Sequence, residues 1–86
     1  AFPVLVDRFV VAPEELAETA MRVPGVRGVR RVRSRSLGKT LTVDMVITVD
    51  PQLATSEAHG IADAVERLLE ERHQVRDTSI HIEPDG

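Results

Sequence analysis

The chain contains no cysteine, tryptophan or tyrosine, and its only aromatic residues are Phe2 and Phe9. Without cysteine there is no disulfide and no thiolate metal ligand, so any metal site must be assembled from Asp, Glu, His and water. A reducing compartment fits that composition. Two phenylalanines provide no platform on which the bases of a single-stranded nucleic acid could stack. No apolar run approaches the roughly 20 residues that span a bilayer, and the start lacks the basic-then-apolar pattern of a secretory signal. There is no glycine-rich phosphate loop, no Ser or Cys nucleophile in a recognisable setting, and no long segment to roof a pocket. The sequence therefore does not read as an enzyme. At 86 residues it reads as one small domain, marginally stable unless a partner subunit or a bound ion contributes.

What is present is unevenly charged. The net charge is −3, yet Arg27, Arg30, Arg31, Arg33, Arg35 and Lys39 lie close together, while Glu57, Asp63, Glu66, Glu70 and Glu71 fall in one later segment. A basic cluster with no recognised binding motif and no stacking aromatics reads as a solvated or subunit-facing strand, and nucleic acid is not expected as a partner.

The clearest strand signal runs from Thr40 to Pro51, with Leu41, Val43, Met45, Ile47 and Val49 alternating with mostly polar residues. The odd-numbered set is expected to enter a core, leaving Thr42, Asp44, Val46 and Thr48 on the opposite face. Asp44 there is a carboxylate that folding does not require. Upstream, Pro13 followed by Glu14 and Glu15 predicts a helix start, and the apolar spacing carries it to about Val23, before Pro24-Gly25. From Arg27 to Leu37 the alternation slips by one between Val29 and Val32, which predicts a strand with a bulge, joined to the next strand through Gly38-Lys39 as an antiparallel hairpin. Thr55 or Ser56 is expected to cap a second helix whose stripe of Ala58, Ile61, Ala62, Val65, Leu68 and Leu69 reaches about Arg72. A last strand spans roughly Arg76 to Glu83, with Thr78, Ile80 and Ile82 facing one way and Asp77, Ser79, His81 and Glu83 the other.

The order predicts an α+β fold, an αββαβ sandwich with two helices on one face of a three-stranded sheet, as in half of a ferredoxin-like fold. The last strand is placed beside the first or second. Residues 1–12 are read as an arm or linker and residues 13–86 as the domain proper.

On the uncovered face His81 and Glu83 project to the same side, and Asp44 approaches them if their strands are neighbours. One imidazole with carboxylates and water suits a borderline or hard divalent cation such as Zn, Mn or Fe(II). The plainer reading is that these are ordinary polar residues on a wet face. His59 lies in the first turn of the second helix, with Asp63 and Glu66 on the same side, a spacing that chelates a cation or simply forms a solvated stripe. His73 is read as a favourable charge at a helix C-terminus.

Together, Pro24-Gly25-Val26-Arg27-Gly28-Val29, Arg33-Ser34-Arg35, Gly38, Val43-Asp44, Val49-Asp50-Pro51, Glu57-Ala58-His59, Ile61-Ala62 and Ile80-His81-Ile82-Glu83-Pro84 resemble the soluble C-terminal domain of cation diffusion facilitator transporters. The resemblance covers Leu5 to Pro84. It implies a homodimeric parent that exchanges divalent cations for protons, with this chain as its cytoplasmic regulatory domain and an attached transmembrane domain. It also implies a metallochaperone-like fold that dimerises as a V whose arms close when cation binds. Arg33, Arg35 and Val46 then lie at the dimer interface. The membrane is a cell inner membrane or a magnetosome membrane.

Zinc-exporting members carry histidines at the positions of Arg30 and Val46, which this sequence lacks, while His81 and the carboxylate Glu83 are kept. The magnetosome iron transporters are also similar in the Asp-Met step of the strand, although they have tryptophan where Thr42 stands. By that likeness Asp44 and His81 form a central site, and His59 and Asp85 complete peripheral ones. Acids on the open face, Asp44 and Glu83, are expected to repel their symmetry mates until a cation neutralises them. The alternatives are a dimerisation scaffold that binds no metal, a regulatory module for a small molecule, and a free-standing metal chaperone, which would ordinarily use cysteines.

Overall fold

The computed structural model describes residues 11–86. The arm expected at residues 1–12 lies, up to residue 10, outside them. The elements follow in the order α1 (Pro13–Met21), β1 (Gly28–Leu37), β2 (Thr40–Val49), α2 (Thr55–His73) and β3 (Val75–Pro84). This is the expected αββαβ arrangement.

Helix α1 begins with Pro13 in its first turn and with Glu14 and Glu15 against the positive end of the dipole. It stops two residues before the expected end at Val23. The Arg22 and Val23 amides bond three residues back, to Thr19 and Ala20, at 3.1 Å each, and Pro24 disfavours the α conformation for the residue before it. Gly25 then takes φ +102°, and a Cβ at that position would lie 2.5 Å from Ile61 Cδ1. The backbone conformation therefore favours glycine, and any side chain here would also have to displace that of Ile61.

The hairpin of β1 and β2 is antiparallel, with Leu37 opposite Thr40 across a two-residue turn. Gly38 supplies the positive φ of 62° that such turns demand at their first central position. The expected bulge is present as a register shift between Val29 and Arg31, so Arg30 has no partner on β2. Beyond the bulge Arg31, Arg33 and Arg35 pair with Val46, Asp44 and Thr42 and share their face.

Strand β2 is central in the sheet order β1-β2-β3 and pairs in parallel with β3. Of the two placements open to the last strand, the one beside the second is taken. The expected core set of β2 is buried: Leu41, Val43, Met45, Ile47 and Val49 are all at most 4% exposed. They join Leu16 and Ala20 of α1 and Val65 and Leu69 of α2 in one hydrophobic cluster. Both helices therefore cover a single face of the sheet.

Helix α2 begins at Thr55 itself, so its cap lies one residue before the expected Thr55 or Ser56. Ala54 occupies the N-cap, where its methyl group offers no acceptor, and Glu57 reaches back so that its Oε1 accepts from the Ala54 amide at 3.1 Å. At the other end Gln74 adopts the left-handed conformation with φ 56°, and β3 follows at once, with Val75 buried opposite Leu41. His73 sits in the last turn as expected, and it also bridges the helices: its Nε2 lies 2.7 Å from Thr19 Oγ1. The Thr19 hydroxyl donates to the Glu15 carbonyl at 3.0 Å, which leaves its oxygen as acceptor and assigns the donor role to His73 Nε2–H.

Leu69 is wholly buried between α2 and the sheet. Leu69→Ala should lower the unfolding free energy by about 2–5 kcal/mol, measured by urea denaturation, because transfer and cavity terms add.

Candidate functional site

The face left open by the helices is set by the pleat of three strands in register. Its rows read Arg35, Thr42 and Asp77; then Arg33, Asp44 and Ser79; then Arg31, Val46 and His81; and last Gly28, Thr48 and Glu83. Thr48 lies on this face, as expected, but is only 3% exposed, close against the Gly28 backbone, where a Cβ would stand 3.0 Å from its hydroxyl.

Asp44 and His81 are one row apart on neighbouring strands and share a face. Both are exposed. They line one shallow hollow together with Arg31, Arg33, Met45 and Val46. The sequence expectation that Asp44 approaches His81 is met by this placement. Arg33 stands directly across from Asp44 on β1.

Glu83 is placed differently. Arg30, displaced from the ladder by the bulge, donates through Nη1 to Glu83 Oε1 at 2.9 Å. Arg27 holds two further acids, with Nη2 3.5 Å from Asp50 Oδ2 and Nη1 3.6 Å from Asp85 Oδ2. His59 is exposed on α2, which packs on the opposite side of the sheet from Asp44. Among the described residues no three His, Asp or Glu side chains are gathered into a group able to hold a metal ion. The chain thus places Asp44 and His81 in one hollow, gives Glu83 and Asp85 to arginines, and keeps His59 apart.

The expectation of a mutually repelling acidic face is corrected here. Glu83 is already neutralised by Arg30, and the central rows carry Arg31, Arg33 and Arg35 against Asp44 and Asp77. Those three arginines make no ion pair among the described residues. The expected solvated basic strand is met by the exposure of Arg31, Arg33 and Arg35, but that all three share the face of Asp44 was not legible, because the bulge decides whether Arg31 falls in phase with Arg33 and Arg35. The imperfect alternation between Val29 and Val32 was the signal. The Arg30–Glu83 pair was missed for the same reason.

A small αββαβ sheet with both helices on one side, and with aspartate, histidine and arginines on the other, defines a ferredoxin-like domain that presents a charged, uncovered surface. The chain belongs to the cation efflux protein family as its cytoplasmic domain, for the family model of that description matches residues 12–85. It is 42% identical over 72 residues to the uncharacterized transporter YdbO of Bacillus subtilis, covering 84% of this chain and 25% of that protein. To the manganese efflux system protein MneS of the same organism it is 34% identical over 67 residues, 78% of this chain and 23% of the relative. With the magnetosome protein MamM of Paramagnetospirillum magneticum it shares 44% identity over 54 residues, 63% of this chain and 17% of that one.

The chain thus spans at most 25% of the length of these curated relatives, of which two are named for transport or efflux. Among solved structures, a nickel form of a MamM CTD variant superimposes with a TM-score of 0.81 at 32% identity, covering 85% of this chain and 94% of that one. None of the described helices is long and apolar enough to cross a membrane.

The Arg30–Glu83 pair is half exposed on both sides, at 56% and 46%. Glu83→Gln should therefore change the unfolding free energy by less than about 1 kcal/mol in urea denaturation.

Proposed function

We propose that this chain is the dimerisation and metal-sensing domain of a divalent-cation/proton antiporter, in which binding of Zn, Fe(II) or Mn closes a V-shaped homodimer. The observation that carries the reading is the meeting of Asp44 and His81 in one hollow on the face that the helices leave open. A carboxylate and an imidazole suit such cations, and two protein donors leave coordination positions for a second copy or for solvent. The manganese efflux relative and the nickel form of the MamM domain support a divalent cation as ligand.

In this reading Asp44 and His81 are the central ligands. Glu83 joins them only by leaving Arg30, and His59 and Asp85 serve peripheral sites. Arg33, Arg35 and Val46 lie where the two open faces meet. Residues 1–12 connect to a transmembrane domain, and residues 13–86 form the regulatory unit on the cytoplasmic side of a cell inner membrane or a magnetosome membrane. Cation binding shifts the open–closed equilibrium only by its greater affinity for the closed arrangement.

A second reading, a dimerisation scaffold that binds no metal, is favoured by the lack of a three-residue ligand cluster among the described residues and by Arg30 and Val46 at the histidine positions of zinc-exporting members. Isothermal titration with Zn, Mn and Fe(II), beside sedimentation of the same sample, separates the two. A dimer that takes up no cation leaves only the scaffold.

Asp44→Ala should keep the fold by circular dichroism and lose metal-driven compaction in small-angle scattering; a variant that still compacts removes Asp44 from the ligand set. Metal affinity should also fall as the pH is lowered, because an imidazole binds metal only as the neutral ring. A His81→Ala variant that binds the cation as tightly as the wild type would exclude His81 as a ligand.

A further inference from the structure

Of the sheet's two outer edges, only β1 is blunted. It breaks its ladder with the bulge at Arg30 and carries Arg31, Arg33 and Arg35, and bulges and charge are devices by which an exposed edge avoids pairing with another chain. β3, at the other edge, lacks them along most of its length. Its pairing with β2 runs without a register shift from Asp77 to Pro84, it contains no lysine, and its proline comes only at the end. Among the described residues no strand lies on its outer side. The Thr78 hydroxyl on this strand is also buried without a hydrogen-bond partner among them.

The direction of the backbone groups of β3 follows from one bond. The Asp85 amide donates to the Val49 carbonyl at 2.8 Å, so Asp85 addresses β2. Successive residues of a strand turn their N–H and C=O to opposite edges. Asp77, Ser79, His81 and Glu83 therefore address β2 as well, while Thr78, Ile80 and Ile82 present theirs outward.

This edge is complementary to itself. Turned antiparallel about a two-fold axis at Ser79, a second β3 sets Thr78 opposite the partner's Ile80, where such a pair exchanges both of its backbone bonds. The same turn sets Asp77 opposite the partner's His81 in the closer, non-hydrogen-bonded position. A carboxylate accepts from an imidazole N–H, and the axis makes that contact twice. Neighbouring registers lose it: an axis at Ile80 sets Asp77 against the partner's Glu83, and one at Thr78 sets it against the partner's Ser79. A slip of one residue exchanges the helix-covered face with the open one.

We propose that two copies of this chain associate through their β3 edges in the register centred on Ser79, joining two three-stranded sheets into one continuous sheet. Both open faces then lie on the same side and stay uncovered. The contact is thus distinct from a meeting of open faces, and it does not rest on the metal-sensing reading.

The chain has no cysteine, so a single introduced thiol reports the register. At a non-hydrogen-bonded pair the Cα atoms stand about 4.5 Å apart, within the span of a disulfide. Ser79→Cys, oxidised with glutathione disulfide in the presence of a chelator that removes any metal-driven contact, should form an intermolecular disulfide on a non-reducing gel. Asp77→Cys should cross-link at least about tenfold more slowly, because its two thiols would lie about 14 Å apart along the strands, beyond disulfide reach. Two changes are then added to Ser79→Cys, with folds checked by circular dichroism. Thr78→Pro removes an outward N–H that the single chain does not use, and should slow cross-linking about tenfold, the scale of two lost backbone bonds. Asp77→Lys removes the acceptor of the partner's His81 and should slow it about threefold. If Thr78→Pro does not fold, Asp77→Lys decides alone. Failure of Ser79→Cys to cross-link overturns the proposal. So does equally fast cross-linking of Asp77→Cys, or a Ser79→Cys rate that the folded variants leave unchanged, since the thiols then meet by collision or through the open faces.

Discussion

The alternation of β2 is the constraint on which everything else in the domain depends. Leu41, Val43, Met45, Ile47 and Val49 can all be buried only if helices cover one face of the sheet, and the two helices available both do so. Nothing in the described chain is left to cover the other face. Because the side-chain period is two, each residue is committed to one side, and a slip of one position would exchange the core with the charged surface. The placement of Asp44 is thus a by-product of burying Val43 and Met45. The same register, carried into β3 through parallel pairing, fixes His81 one row away.

Charge on the open face is organised by the bulge in β1. Without the extra residue, the arginines would fall in the opposite phase, toward the hydrophobic layer, where unpaired guanidinium groups are costly to bury. The bulge releases Arg30 to meet Glu83 and brings Arg31, Arg33 and Arg35 to the open side. At the position of Arg30 the zinc-exporting members carry a histidine. Here a guanidinium, charged at any ordinary pH, occupies the Glu83 carboxylate. A fixed charge of this kind does not respond to metal concentration, so the pair at Arg30 and Glu83 contributes the same in every cation condition until something displaces it.

The elements themselves were legible in the sequence. Periodicity located all five, the bulge was visible as a slip between Val29 and Val32, and Gly38-Lys39 marked the turn. Their ends were less so, since they depend on backbone bonds: α1 stops at Met21 because Pro24 constrains Val23, and α2 begins after Ala54 because Glu57 alone can make half of a capping box. The meeting of Asp44 and His81 followed from strand alternation once β3 was placed beside β2. The arginine partners of Glu83 and Asp85 did not follow, since Arg30 and Glu83 are 53 positions apart and meet only through a bulge and a crossover. Nor did the bond from His73 to Thr19, 54 positions apart. Periodicity assigns a residue to a face, but it does not say which opposite charge waits there.

These facts bear on how such a face could act as a switch. A cation held by Asp44 and His81 of one protomer, equally well in the open and the closed arrangement, shifts nothing, however tightly it binds. Moving a population from about 1:99 to 99:1 requires a preference of about 10⁴-fold for the closed form. That preference has to come from groups that reach the metal only on closure. A second copy of Asp44 and His81 qualifies. It arrives, however, with its own Arg31, Arg33 and Arg35, so closing two such faces concentrates positive charge as well as ligands. The closed form is favoured only where the added donors outweigh that repulsion. The balance between the Asp44–His81 pair and the arginine row beside it is therefore the quantity that would set the threshold of the switch.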